Sequence, residues 1–112
     1  MEFETLRLEY PEPGIALLTL NRPERMNALN TRMGSELREI FVPLKFTPDA
    51  LRCVVITGAG DRAFCAGGDL KERHGMSDDT WRQQHAIFEE AYYAVMDCAV
   101  PVIAAVEGYA YA

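Results

Sequence analysis

The stretch Phe64–Glu72, which reads FCAGGDLKE, contains the residues of this chain whose types and spacing best suit chemistry. The paired glycines Gly67 and Gly68 let the backbone approach a ligand closely, because no Cβ stands in the way. If a helical turn begins at Leu70, the N–H of Gly68 points out of its positive end. A carbonyl oxygen that gains negative charge is what such a donor stabilises best. The stretch therefore predicts an oxyanion-binding turn; a tight loop that binds nothing is the alternative.

Four motifs that include this turn stand in one order along nearly the whole chain. They are Asn21-Arg22-Pro23 with Asn27-Ala28-Leu29-Asn30, Val54–Gly58, Ala63–Lys71 and Pro101–Ala110. In this order and spacing they resemble the enoyl-CoA hydratase/isomerase (crotonase) family. The resemblance implies an α/β fold with the crotonase-like (ClpP/crotonase) spiral core of ββα units, of which residues 1–112 form the N-terminal portion only.

The resemblance also implies a substrate and a set of site residues. Crotonase-like enzymes hold an acyl-CoA thioester so that its carbonyl oxygen accepts two backbone N–H bonds, and the reaction proceeds through an enolate-like species. By position, Gly68 supplies the first N–H and is the catalytic residue expected here. The CoA moiety is expected to lie along residues that flank the turn, mostly against their backbone: Arg25, Met26, Ala28, Ala66, Asp69, Leu70 and Lys71.

Two of these side chains have alternative interpretations. Arg25 is as readily a solvated loop residue as a contact to a CoA phosphate. The Asp69 carboxylate is better explained as a cap or turn partner than as a base, because its charge would oppose a developing oxyanion.

The remaining catalytic groups of the family are not found in this sequence. In the family, the second N–H comes from a glycine run after the segment that matches Gly108–Tyr111. Ala112 occupies the first place of that run, and the donor would be the next residue. The two catalytic glutamates of the hydratases lie further along, so Glu72 and Glu107 are expected to be solvated or structural. We therefore expect the N-terminal piece of a longer enzyme, inactive by itself.

Several functions share these motifs. Hydration of a 2-enoyl-CoA is the expected reaction of the complete enzyme, with isomerisation or other crotonase chemistry as the alternative. A non-catalytic acyl-CoA-binding fragment and a remnant that cannot fold are the other hypotheses. Asp69–Arg73 followed by Met76 and Ser77 looks most like the methylglutaconyl-CoA hydratase branch. The resemblance implies no cofactor apart from the CoA of the substrate, and a homotrimer or hexamer if the C-terminal part is present.

The composition excludes some partners and compartments. The 112 residues are 49% hydrophobic and 25% charged, which is ordinary for a globular chain with one core. A net charge of −6 argues against a nucleic acid or an anionic membrane as the main partner. Met1–Glu4 lacks the basic start of a signal peptide, and Cys53, Cys65 and Cys98 read as reduced thiols of a cytoplasmic protein. No His, Cys and carboxylate set has metal-ligand spacing, so no metal is expected.

Strands and helices must position the turn. We predict an outer strand over residues 3–9, a turn at 11–14 and a second strand at 15–20. Strands are also predicted at 52–57 and 102–106, the first paired in parallel and covered on both faces, the second central in the sheet. A further turn is predicted at Thr47-Pro48-Asp49.

Two helices complete the prediction. Asn30 is expected to cap a helix that ends or kinks at Pro43 and packs one apolar stripe on the sheet. Ser77 is expected to cap a long second helix. Its large apolar residues lie on roughly one face and are predicted to be core: Trp81, Phe88, Ala91, Tyr92, Val95 and Met96.

Overall fold

The computed structural model describes residues 2–46 and 50–111. Its elements, in chain order, are β1 (Leu6–Glu12), β2 (Ile15–Leu20), α1 (Thr31–Phe41), β3 (Cys53–Gly58), β4 (Ala63–Cys65), α2 (Leu70–Arg73), α3 (Asp78–Met96), β5 (Val102–Ala104) and β6 (Tyr109–Ala110). Short 3-10 helices lie at Pro23–Arg25 and Val42–Lys45. The turn predicted at Thr47-Pro48-Asp49 lies outside the described residues. In the described part of the chain, no helix is long and apolar enough to span a bilayer.

The main sheet has four strands in the order β1-β2-β3-β5. β1 and β2 form the predicted hairpin, although β1 starts and ends three residues later than predicted and contains a bulge between Glu9 and Glu12. β2–β3 and β3–β5 are parallel, as the order strand, helix, strand predicted. β4 and β6 pair in parallel as a separate two-stranded sheet. The chain is therefore mixed α/β.

The predictions for the last two apolar strands were partly wrong. β5 has three residues and lies at the edge of the sheet within the described residues, where Ile103 is 53% exposed. In β3 only Val54 is fully buried, so this strand is not covered on both faces here. Both strands follow the apolar pattern of buried parallel strands, but the described residues supply too few neighbours to cover them.

Helix α1 begins and ends where its sequence predicts. The Asn30 side chain accepts the N–H of Met33 (2.9 Å), which is the expected N-cap. The helix ends at Phe41, and the chain continues as a 3-10 turn that contains Pro43. Gly34 lets α1 approach α3 closely, because a Cβ at this position would lie 2.4 Å from the Phe88 ring. The α1–α3 contact therefore depends on a missing side chain.

Helix α3 starts as predicted, but its buried face differs from the prediction. The Ser77 side chain accepts the N–H of Thr80 (3.1 Å), which confirms the N-cap. The residues of α3 that are buried are Gln84, Ala91 and Ala94. Three residues predicted to be core are exposed: Trp81 (45%), Tyr92 (62%) and Met96 (63%). Small residues face α1, and several large apolar ones point outward.

The hydrophobic core lies between the sheet and the two long helices. Its fully buried members come from β1, β2, β3, β4, α1 and α3, and they include Leu6, Leu18, Leu20, Met33, Phe41, Val54, Cys65 and Ala94. Phe41, Leu18 and Met33 are the largest side chains with almost no exposure. The core therefore joins α1 to the strand that precedes it and to the strand that follows it.

The N-terminal segment is held to α1 through the buried carboxylate of Glu36, which is 4% exposed. This carboxylate accepts the N–H groups of Glu4 (2.8 Å) and Thr5 (2.8 Å), the Thr5 hydroxyl and Nε of Arg32 (3.2 Å). Burial alone raises the pKa of Glu36, but these hydrogen bonds outweigh it and lower the pKa. The ionised carboxylate is thus part of the folded state.

Acid should weaken this attachment. Because the pKa of Glu36 is lower in the folded state, its contribution is present above the unfolded pKa and is lost as pH falls through the folded one. We expect Glu36→Gln to lower the free energy of unfolding at pH 7 by about 1–3 kcal/mol and to flatten its decrease below about pH 4. Urea unfolding at several pH values measures both effects. Glu39→Gln on the exposed face of α1 is the control, and an unchanged pH slope in Glu36→Gln would contradict the assignment.

Candidate active site

The Gly68 turn is fixed by hydrogen bonds on both sides of Gly68. The Leu29 N–H donates to the Gly67 carbonyl oxygen (2.7 Å), and the Asp69 N–H donates to the Leu29 carbonyl oxygen (2.9 Å). Gly67 has φ = +93°, a left-handed conformation that glycine adopts without strain. Among the described residues, the N–H of Gly68 itself has no hydrogen-bond partner. The turn is therefore rigid, and its central N–H is available to a ligand.

Gly68 lines a cavity of about 390 Å³ between the turn, α1 and α3. The other lining residues are mostly apolar: Leu29, Leu37, Cys65, Gly67, Phe88, Ala91, Tyr92, Val95 and Tyr111, together with Arg73. Hydrogen bonds and charges act more strongly in such surroundings than in water. A carbonyl oxygen held by Gly68 in this cavity would gain more from the N–H than it would in solvent.

The residues predicted to border CoA before the turn lie next to those within it. The Ala66 N–H donates to the carbonyl oxygen of Met26 (3.0 Å), and the Ala28 N–H donates to the carbonyl oxygen of Arg25 (3.1 Å). Met26 has φ = +53°, so this loop is tightly curled. The side chain of Arg25 is exposed. The structure brings these segments together, and their contact with CoA stays a prediction.

The residues predicted to border CoA after the turn form the short helix α2. A helical turn begins at Leu70, as the sequence analysis anticipated. Leu70 is 76% exposed, and Lys71 is exposed. Exposed side chains beside a rigid turn leave room for a ligand, but their role in binding CoA remains a prediction.

Asp69 has the capping role that was predicted for it. Its Oδ1 accepts the N–H groups of Lys71 (3.1 Å) and Glu72 (3.2 Å). Its Oδ2 accepts Nη2 of Arg22 (3.1 Å), and Nη1 of Arg22 donates to the Ala28 carbonyl oxygen (2.7 Å). The two side chains are 12% and 14% exposed. Arg22 therefore ties the loop before α1 to the Gly68 turn.

The surroundings of Asp69 favour its ionised form. Burial alone raises the pKa of this carboxyl group, but hydrogen bonds from the Glu72 N–H and from Arg22, with the charge of Arg22, outweigh it and lower the pKa. A carboxylate with a lowered pKa and two occupied oxygens is a poor general base. Asp69 is thus a structural member of the site.

Asn27 is a central residue of the site that sequence reasoning did not single out. It is completely buried, with φ = +57°. Its Oδ1 accepts the Arg22 N–H (2.9 Å), and its Nδ2 donates to the carbonyl oxygens of Ala59 (3.0 Å) and Ala63 (3.0 Å). Asn27 thus joins the loop after β2 to both sides of the loop before β4. Its only local signal is that asparagine tolerates a left-handed backbone better than most residues.

A buried polar network supports the turn from the α3 side. Oε1 of Glu72 accepts the Thr31 N–H (2.8 Å) and Nε2 of Gln84 (2.7 Å), and Nε2 also donates to the Thr31 hydroxyl (2.9 Å). Nε of Arg73 donates to Oε1 of Gln84 (3.2 Å). Gln84 is 2% exposed. The structural role expected of Glu72 is confirmed, whereas Gln84 was not identified from the sequence.

The cysteines carry no sign of nucleophilic chemistry. All three are free thiols, and Cys65 is buried at the cavity wall. Burial raises the pKa of Cys65, although its sulfur accepts the Gly67 N–H (3.4 Å). A raised pKa disfavours the thiolate, so Cys65 serves as packing for the turn. Within residues 2–46 and 50–111, no cluster of His, Cys, Asp and Glu is arranged to hold a metal ion.

The last described residues lie beside the turn. The Tyr111 N–H donates to the Cys65 carbonyl oxygen (2.9 Å), and the rings of Tyr109 and Tyr111 stack at 5.7 Å. This extends the β4–β6 pairing toward Gly68. The place predicted for the second oxyanion donor follows Ala112, and both lie outside the described residues.

A parallel sheet that leads into a glycine turn with a free N–H over an apolar cavity defines a crotonase-type site. The family model described as enoyl-CoA hydratase/isomerase matches residues 11–112. The chain belongs to the enoyl-CoA hydratase/isomerase family, and its fold is the N-terminal part of the crotonase fold. The predicted family and fold class are confirmed.

Individual relatives agree with this assignment. The chain is 40% identical over 112 residues to a probable enoyl-CoA hydratase of Rhodobacter capsulatus, covering 98% of this chain and 41% of the relative. It is 37% identical over 107 residues to the 1,2-epoxyphenylacetyl-CoA isomerase of Escherichia coli, covering 92% and 40%. It superposes on the crystal structure of an enoyl-CoA hydratase from Bacillus anthracis with a TM-score of 0.86 and 34% identity, covering 94% and 40%. The chain thus spans about two fifths of the length of these relatives.

Proposed function

We propose that this chain binds an acyl-CoA thioester at the Gly68 turn and supplies one of two N–H donors to its carbonyl oxygen. At the full length of its relatives, the protein would add water to a 2-enoyl-CoA through an enolate-like species. The observation that carries the proposal is the Gly68 N–H, which has no partner among the described residues and belongs to a residue that lines an apolar cavity. Such a donor is suited to a developing oxyanion because it needs no reorganisation.

The surroundings of Gly68 support this role. The hydrogen bonds of Leu29 to Gly67 and to Asp69 hold the donor on both sides, so little freedom is lost when a ligand arrives. The CoA moiety would lie along Arg25, Met26, Ala28, Ala66, Asp69, Leu70 and Lys71, with its acyl group in the cavity. No residue of this chain is assigned as general acid or base.

The reaction itself distinguishes two members of the proposal. Hydration is the first, and isomerisation or another enolate chemistry is the second, because relatives of both kinds share these residues. The methylglutaconyl-CoA branch remains a proposal based on Asp69–Arg73 with Met76 and Ser77. A cytoplasmic location and a homotrimer or hexamer are proposed on the same basis of family resemblance. CoA enters only as part of the substrate, without a further cofactor.

Amide NMR of the chain tests the central step. On titration with butyryl-CoA, the Gly68 N–H resonance is expected to move downfield, because its proton enters a hydrogen bond with the thioester oxygen. CoA without an acyl group is expected to shift the CoA-bordering residues but not Gly68. The amide of Gly75, whose surroundings are open, is the internal reference. A Gly68 resonance that does not respond to saturating butyryl-CoA would overturn the proposal.

A further inference from the structure

Arg73 is the charged side chain of the cavity wall that holds Gly68. Its guanidinium lies directly against Gly68: a Cβ built on this glycine would be 3.0 Å from both Cζ and Nη2. The guanidinium carbon also lies 6.0 Å from the centre of the Phe88 ring. A positive charge thus stands in an apolar cavity next to the proposed oxyanion donor.

Gln84 holds this guanidinium in one orientation. Nε2 of Gln84 donates to Thr31 and Glu72, so the amide oxygen is the atom that faces Arg73 and accepts its Nε–H (3.2 Å). Because Gln84 is 2% exposed, the amide cannot readily turn away. The Nη1 and Nη2 ends of the guanidinium are left for another acceptor.

The chain does not provide that acceptor within the described residues. No carboxylate there lies within 4.0 Å of Arg73, because Asp69 is paired with Arg22 and Glu72 is bound by Thr31 and Gln84. A guanidinium presents its donors as a planar fork that matches a carboxylate, and it remains charged at any physiological pH. The site is therefore prepared for an anion that arrives with the ligand.

We propose that Arg73 binds a carboxylate carried by the acyl group, so that the preferred ligands are CoA thioesters of short dicarboxylic acids. This inference rests on the proposed function, because it places the acyl chain in the Gly68 cavity. The thioester oxygen at Gly68 and the carboxylate at Arg73 would each accept a hydrogen bond of about 2.8–3.0 Å. Since the two donors are neighbours, only a short acyl chain joins them without folding back.

The test compares glutaryl-CoA with pentanoyl-CoA, whose acyl chains have equal length and end in a carboxylate and a methyl group. Calorimetric titration of the chain gives both Kd values, and the CoA moiety cancels in their ratio. We expect glutaryl-CoA to bind about 10- to 100-fold more tightly. Arg73→Met is expected to abolish this preference. Arg73→Lys, which keeps the charge without the fork, should retain part of it.

The control variant is Arg82→Met, because Arg82 is exposed on α3 and pairs with Asp79 outside the cavity. It should leave the Kd ratio unchanged. Equal affinity for the two thioesters, with both shifting the Gly68 amide resonance, would overturn the Arg73 inference and leave the proposed function intact. If neither thioester shifts that resonance, the proposed function fails and the inference fails with it. A preference that persists in both Arg73 variants would place the carboxylate elsewhere and also overturn the inference.

Discussion

Gly68→Pro is expected to reduce turnover of a 2-enoyl-CoA by about 100- to 1,000-fold, the usual effect of removing one oxyanion donor. Proline has no N–H, so the thioester oxygen would keep only the donor supplied by the rest of the protein. Turnover requires the remainder of the fold. The assay therefore uses a chimaera in which residues 1–112 replace the matching segment of the Rhodobacter capsulatus relative. Loss of the enoyl-thioester absorbance of crotonyl-CoA gives the rate.

Gly68→Ala is the matched control for this experiment. Alanine adds the same Cβ as proline but keeps the N–H. The added Cβ meets the end of the flexible Arg73 side chain at 3.0 Å, so the cost of accommodating it is small. We expect Gly68→Ala to retain turnover within about tenfold of the parent. A chimaera with Gly68→Pro that is folded and as active as Gly68→Ala would remove Gly68 from the mechanism.

Local features of the fold could be predicted because their causes lie within a few residues. The caps formed by Asn30 and Ser77 accept an N–H three residues ahead, and Asp69 caps α2 in the same way. Pro43 ends the regular helix close to where its ring would clash. The glycine turn and the short helix at Leu70 follow from the same local rules.

The supporting contacts could not be predicted, because they join residues that are far apart in sequence. The Arg22–Asp69 pair spans 47 positions, and the Gln84–Thr31 hydrogen bond spans 53. A buried glutamine on α3 looks like a surface residue in the sequence until its partners on other elements are known. The resemblance named the residues expected to touch the ligand, but the residues that hold them in place emerge only from the fold.

Helix α3 shows why an apolar pattern alone can misplace a core. The pattern selects large side chains, and Trp81, Tyr92 and Met96 satisfied it. The face that packs on α1 is instead centred on Gln84, Ala91 and Ala94, where small side chains let the helices approach. Gly34 on α1 has the same effect from the other side. Close helix contact selects small residues, and a hydrophobicity pattern does not register that selection.

The second large effect concerns Asp69, whose replacement by alanine is expected to lower the free energy of unfolding by about 3–5 kcal/mol. The change leaves the guanidinium of Arg22, 14% exposed, without its carboxylate. It also removes the acceptor for the N–H groups of Lys71 and Glu72 at the start of α2. A loss of this size approaches the whole stability of a small domain. Urea unfolding of the chain at pH 7 measures it.

Two further variants separate the charge from the cap. Asp69→Asn keeps an acceptor for α2 but loses the ion pair, so its effect should be smaller than that of Asp69→Ala. Combining Arg22→Met with Asp69→Ala should recover part of the loss, because no unpaired guanidinium remains. Strictly additive losses would show that the two side chains do not interact. Since Arg22 also binds the Ala28 carbonyl oxygen, this pair joins the two segments proposed to hold CoA, and the Gly68 turn depends on it for its position.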